Sequence, residues 1–166
     1  RLLIDKMIES QPNNNALKTL QQTVRNHTPI PHNGSVPKFA AYDINGKQVN
    51  NAMLAKADTA VVIAWATWNY NSVSMLQTVA QIQKEKGSKM KVLGVCLDYS
   101  RSLCRTALRQ RDMNDIPTVC DGKAVDGDVY NRLGMSNLPD NIVIEKGKVT
   151  ATGLTLEQLR KKLGKE

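Results

Sequence analysis

Cysteine is the side chain best suited to nucleophilic, redox or soft-metal chemistry, and this chain has three: Cys96, Cys104 and Cys120. They lie eight and sixteen residues apart, so there is neither a Cys-x-x-Cys pair nor a zinc-finger spacing. An odd count excludes a complete disulfide framework and leaves room for one bridge. Hydroxyl nucleophiles need an adjacent general base. The two histidines, His27 and His32, both fall in the Pro- and Gly-rich stretch "HTPIPHNGSVP", and spacing places neither beside a candidate serine.

The stretch that looks most like the frame of an active site is "VVIAWATWNYNSVSML", Val61 to Leu76. It reads as an apolar strand, a Trp-Ala-Thr-Trp turn and an amphipathic helix. At the turn stand Trp68, Asn69, Tyr70, Asn71 and Ser72, none of them an activated nucleophile. Asn69 is placed to cap the helix, its side-chain oxygen accepting from a free N–H of the first turn.

Around this turn the elements fall in order. The 166 residues are 41% hydrophobic and 23% charged, the composition and size of one globular domain with an appended element. The sequence begins at Arg1 rather than Met, as a processed or cut chain would, and a signal peptide could have preceded it. No apolar run approaches the ~18 residues needed to span a bilayer. A net charge of +8 permits contact with nucleic acid or an anionic surface. With one Phe and two Trp, however, and no RNA-binding aromatic motif, a solvated basic surface is the expectation, with no nucleic-acid partner.

Helical spacing over Leu2–Ile8 and again at Leu17, Leu20 and Val24, interrupted at Pro12, predicts two short helices. A linker follows, giving an extension over residues 1–33 and a domain over 34–166. "KFAAYD-NG-KQVN" predicts a hairpin. "TAVVIAWA" and "KVLGVCL" are continuous apolar runs, as expected of strands buried on both faces. Val73, Leu76, Val79, Ala80 and Ile82 mark one helix; Leu103, Cys104, Ala107 and Leu108 mark another, opened by Ser100. "IPTVC" reads as a short strand and "NIVIE-KG-KVTAT" as a second hairpin. Thr155 and Gln158 form a capping box for a last helix with Leu156, Leu159 and Leu163 inward. The sum is an α/β fold, a central mixed sheet with helices on both faces.

"GSVPKFAAYDINGKQV", "VVIAWATWNYNS" and "VYNRLGMSNLPDNIVIEKGKV", in that order, resemble the TlpA/ResA-like thioredoxin family, related to AhpC/TSA peroxiredoxins. The resemblance covers residues 34–164. It implies a thioredoxin-like fold, thiol-disulfide exchange, no cofactor or metal, and an extracytoplasmic, periplasmic or envelope-anchored location. It also puts the family's attacking and resolving cysteines at Asn69 and Ser72, where this chain has neither. Pro139 matches the family's cis-proline, which with Leu138 implies a groove for an extended protein or peptide client. Asp140 stands where Thr is common. Asp98 matches an acidic position after the second core strand, or equally supplies charge to the next helix.

Cys96 is expected to be a buried thiol and Cys104 a core residue beside Leu108. A Cys104–Cys120 bridge needs a Cα separation of ~5.5 Å that sequence does not establish. Arg101, Arg105 and Arg109 form a basic ridge, expected to be solvated. Two function classes lead: a redox-inactive module that binds a partner or supports a larger envelope protein, and a thiol enzyme using Cys104 and Cys120. A basic-surface binder is third. Oligomeric state stays open.

Overall fold

The computed structural model describes residues 2–26 and 28–164. Two helices, α1 (Leu2–Ser10) and α2 (Asn15–Asn26), come first and touch each other. A two-stranded antiparallel hairpin follows, β1 (Ala40–Tyr42) with β2 (Gln48–Asn50). Asp43 closes its turn by accepting from the N–H groups of Asn45 and Lys47. The short helix α3 (Asn51–Ala55) leads into the main sheet. Its strands are β3 (Thr59–Trp65), β4 (Met90–Cys96), β5 (Thr118–Val119), β6 (Asp140–Glu145) and β7 (Lys148–Thr152), in the order β5-β4-β3-β6-β7. β3, β4 and β5 are parallel, and β6 and β7 are antiparallel additions. The remaining helices are α4 (Tyr70–Lys86), α5 (Arg101–Gln110), α6 (Asp128–Arg132) and α7 (Leu156–Lys162).

The sheet is buried on both faces, which explains the unbroken apolar runs of β3 and β4. Val61, Ile63 and Trp65 point into one core with Val73, Leu76 and Val79 of α4, Leu108 of α5 and Leu159 of α7. Ala60, Val62 and Ala64 point into the other, with Phe39, Leu54 of α3 and Tyr130 of α6. Side-chain alternation along β3 therefore assigns each helix its face. No helix among the described residues is long and apolar enough to cross a membrane.

One expectation needs amending, and two features were not legible in the sequence. α3 and α6, five residues each, were not legible, because a helix that short shows no periodicity. Leu103 is 58% exposed: the buried stripe of α5 is Cys104, Ala107 and Leu108, and Leu103 precedes it in the first turn. The stretch read as a linker is hydrogen-bonded to the sheet edge. Asn33 N–H donates to Val149 O at 2.7 Å and Val149 N–H to Gly34 O at 2.9 Å, across the predicted 33/34 boundary. These bonds cover part of β7, an edge that would otherwise be open to pairing with another chain. His32 Nδ1 lies 3.1 Å from Thr150 O. His27 falls outside the described residues.

One buried amide joins the β6–β7 hairpin to α7. Asn141 is 1% exposed; its Nδ2 donates to Leu154 O at 2.8 Å and its Oδ1 accepts from Leu154 N–H at 3.0 Å. Removing it strands both backbone groups. Asn141→Ala is expected to lower stability by about 2–4 kcal/mol with an unchanged denaturant slope in urea unfolding. A loss below about 0.5 kcal/mol would mean that solvent replaces the amide.

Candidate functional site

The site sits at the C-terminal ends of the parallel strands, where the chain leaves β3 for α4. Trp65 is the last strand residue, and Ala66 to Trp68 form the turn. Asn69, in extended conformation, caps α4: its Oδ1 accepts from Ser72 N–H at 2.9 Å, and its own N–H donates to Ala66 O. Ser72 is fully buried. Its Oγ accepts from Ala66 N–H at 3.0 Å and lies 2.8 Å from Asn69 O and 3.2 Å from Ala66 O, which share its single proton. The hydroxyl is thus directed at carbonyl oxygens, with no base to take its proton. Asn69 and Ser72 staple the turn through neutral bonds at a helix end that also favours negative charge. Tyr70 and Asn71 are exposed in the first turn of α4.

Asp98 holds the turn from the other side. It follows β4 and is 3% exposed. Its carboxylate accepts from Thr67 N–H at 3.2 Å, from Thr67 Oγ1–H at 3.1 Å and from the Cys96 thiol at 3.4 Å. It is not in the first turn of α5, which Ser100 caps and which holds no acidic residue. Of the two roles left open by sequence, the structure shows a strut rather than a helix-end charge. Thr67 was missed as its partner.

Pro139 and Leu138, both half-buried, precede β6, and the bond between them is cis. The register Ala64↔Asp140 sets them beside the end of β3, next to the turn. Asp140 is buried and accepts from the N–H groups of Ser136 and Asn137, at 2.9 and 3.3 Å. The Tyr130 hydroxyl donates to Asn137 O at 3.1 Å. The 136–140 loop is therefore clamped by two side chains that the sequence did not single out for this work. Around the turn three aromatic rings face solvent: Trp68 is 70% exposed, Tyr70 83% and Tyr99, directly after Asp98, 81%.

The three cysteines converge. Cys96 ends β4, Cys120 follows β5, and the pairing Val95↔Val119 makes them neighbours; Cys104 comes down from α5. Their sulfur atoms all lie within 4.8 Å of one another, all three residues are buried, and all are free thiols. The Cys120 thiol donates to Asp98 O at 3.3 Å. Hydrogen bonding to the Cys104 and Cys120 thiols and burial push Cys96 up from the ordinary thiol range. Cys104 is also pushed up, chiefly by its bond to Cys120, while Cys120 is pulled down by the donors of Cys104 and Cys96. The arginine ridge is not simply solvated. Arg101 Nε donates to Cys120 O at 2.8 Å and Arg105 Nη2 to Ile44 O at 2.5 Å, tying α5 to neighbouring loops.

Tyr130 gives the clamp a pH signature. Burial, and then the Asp140 carboxylate, raise its phenol from 10 to about 12. The folded state holds this proton more tightly than the unfolded chain does. Its contribution is therefore complete below pH 10 and is lost as pH rises from 10 through 12. Wild type should lose on the order of 2 kcal/mol more over that window than Tyr130→Phe, measured by urea unfolding at each pH. Parallel profiles would show that the phenol titrates normally.

The chain matches no protein-family model and no curated protein, but solved structures resemble it over most of its length. A thiol-disulfide oxidoreductase from Bacteroides fragilis NCTC 9343 superposes with a TM-score of 0.67 at 23% identity, over 78% of this chain and 96% of that one. The thioredoxin domain of a thiol-disulfide oxidoreductase from Bacteroides vulgatus gives 0.68 at 17% identity, over 81% and 96%. A secreted disulfide oxidoreductase of Mycobacterium tuberculosis gives 0.63 at 14% identity, over 75% and 93%. The fold is thioredoxin-like.

Proposed function

We propose that this domain is a redox-inactive relative of the TlpA/ResA-like thiol-disulfide oxidoreductases that binds an extended protein or peptide segment, or supports a larger envelope protein. The observation that carries the reading is the state of the turn. Exchange chemistry needs a thiolate there and a second thiol to release the mixed disulfide. In their places Asn69 and Ser72 use their polar atoms on the backbone of the turn. The half-buried Leu138 and Pro139 beside the turn and the exposed Trp68, Tyr70 and Tyr99 support the other half. Large aromatic side chains are the usual anchors of protein recognition. An extracytoplasmic location is part of the proposal, supported by the resemblance to a secreted oxidoreductase.

A second reading, thiol-disulfide exchange through Cys104 and Cys120, is favoured by the closeness of their sulfurs. Against it stand the burial of both residues and the lack of an exposed thiol for a substrate to reach.

Insulin reduction separates the two. Wild type should reduce insulin no faster than dithiothreitol alone. A rate increase abolished by Cys104→Ser or Cys120→Ser would overturn the inactive reading in favour of the second. Asn69→Cys with Ser72→Cys should create activity, since the helix end that lowers a thiol pKa is intact. A folded but inert double variant would mean that the turn is not a vacated active site. Asn69→Cys alone should cost about 1 kcal/mol for the lost cap. It should trap mixed disulfides with cysteine-containing extended peptides, and Trp68→Ala should reduce the yield; trapping indifferent to Trp68 would remove the aromatic rim from the client surface.

A further inference from the structure

The turn uses none of the three cysteines, yet the fold brings them to one point. They come from three separate elements, β4, α5 and the end of β5, at sequence spacings that match no metal motif. Core packing alone asks only that each thiol be buried, not that three sulfurs meet. We propose that Cys96, Cys104 and Cys120 form a three-thiolate site for a soft monovalent metal ion, Cu(I).

Distance and ligand number select the ion. An ion in the plane of three sulfurs, at a metal–sulfur distance of about 2.3 Å, sets the sulfurs about 4 Å apart. Separations of no more than 4.8 Å need only small side-chain adjustments to reach this. Thiolates are soft ligands that suit Cu(I) and Zn(II). Zn(II) in a structural site takes four ligands. Among the described residues no fourth His, Cys or carboxylate atom lies within that distance of all three sulfurs. The donor set is therefore complete for an ion content with three ligands and one short for zinc.

Binding is an acid–base exchange with no electron transfer. Three S–H bonds break, three Cu–S bonds form, three protons leave to solvent, and copper stays Cu(I). Three thiolates and one monovalent ion leave two negative charges. The Arg101 guanidinium at the Cys120 carbonyl, and the N-terminal end of α5 with no acidic side chain in its first turn, face that charge, while the Asp98 carboxylate 3.4 Å from the Cys96 sulfur opposes it. Asp98, which accepts from the Cys96 thiol and anchors Thr67, would lose that donor when copper binds. The site is thus in direct contact, through Cys96, with the strut that holds the candidate client turn. The proposal does not rest on the reading of that turn.

The test is anaerobic titration of the reduced full chain with Cu(I) against a chromophoric Cu(I) chelator, for the native protein and for protein refolded in its presence. One copper per chain is expected, with sulfur-only coordination by three atoms in X-ray absorption. That measurement needs no variant and so survives any folding defect. Partners outside a ligand shell are worth 10–100-fold in affinity, so Cys104→Ser, folded by circular dichroism, should weaken binding by about 100-fold or more. No competition with the chelator, nitrogen or oxygen ligands at the copper edge, or affinity unchanged in Cys104→Ser would overturn the proposal. So would zinc displacing bound copper at equal concentration.

Discussion

The carboxylate of Asp98 is the interaction on which this end of the molecule depends. A buried charge must find donors, and this one finds them in the turn and in the core at once. Thr67 gives it the turn's backbone N–H and hydroxyl; Cys96 gives it a thiol. The turn after β3 therefore cannot move independently of the end of β4. The same few residues place Trp68 and Tyr99 on the outside and the three thiols on the inside.

The turn also shows how a helix start at the end of a buried strand is satisfied by neutral side chains. A helix beginning at the end of a buried strand must satisfy its first N–H groups. Asn69 does this with an amide oxygen, and Ser72 returns its hydroxyl to the turn. Both are local solutions that cost the fold nothing in hydrogen bonds. Neither supplies a group able to attack. Geometry at such a position follows from the fold, whereas chemistry follows from the side chain placed on it.

On the opposite side, the 136–140 loop is held as firmly. Asp140 takes two backbone N–H groups and Tyr130 gives its proton to Asn137 O. Leu138 and Pro139 are thereby set beside the turn by bonds on either side of them.

The sequence by itself determined whatever neighbours along the chain decide. Apolar runs marked the strands of the central sheet, the Asn-Gly and Lys-Gly turns marked the hairpins, and Asn69, Ser100 and Thr155 marked helix starts, all through bonds spanning three or four residues. The amide and hydroxyl at the turn were legible for the same reason. The five-residue helices α3 and α6 were not, because they are shorter than the period that reveals a helix. Only the tertiary structure decided what lies between distant segments. β4 beside β5, with α5 laid across them, brings together Cys96, Cys104 and Cys120, whose spacing predicts nothing. Asp98 became a strut rather than a helix-end charge because Thr67, thirty-one residues away, is its neighbour in space. Leu103 faces water because the side of α5 that meets the core carries Cys104, Ala107 and Leu108. Periodicity records which face of an element is apolar; which atoms meet across that face is set by strand order and helix packing.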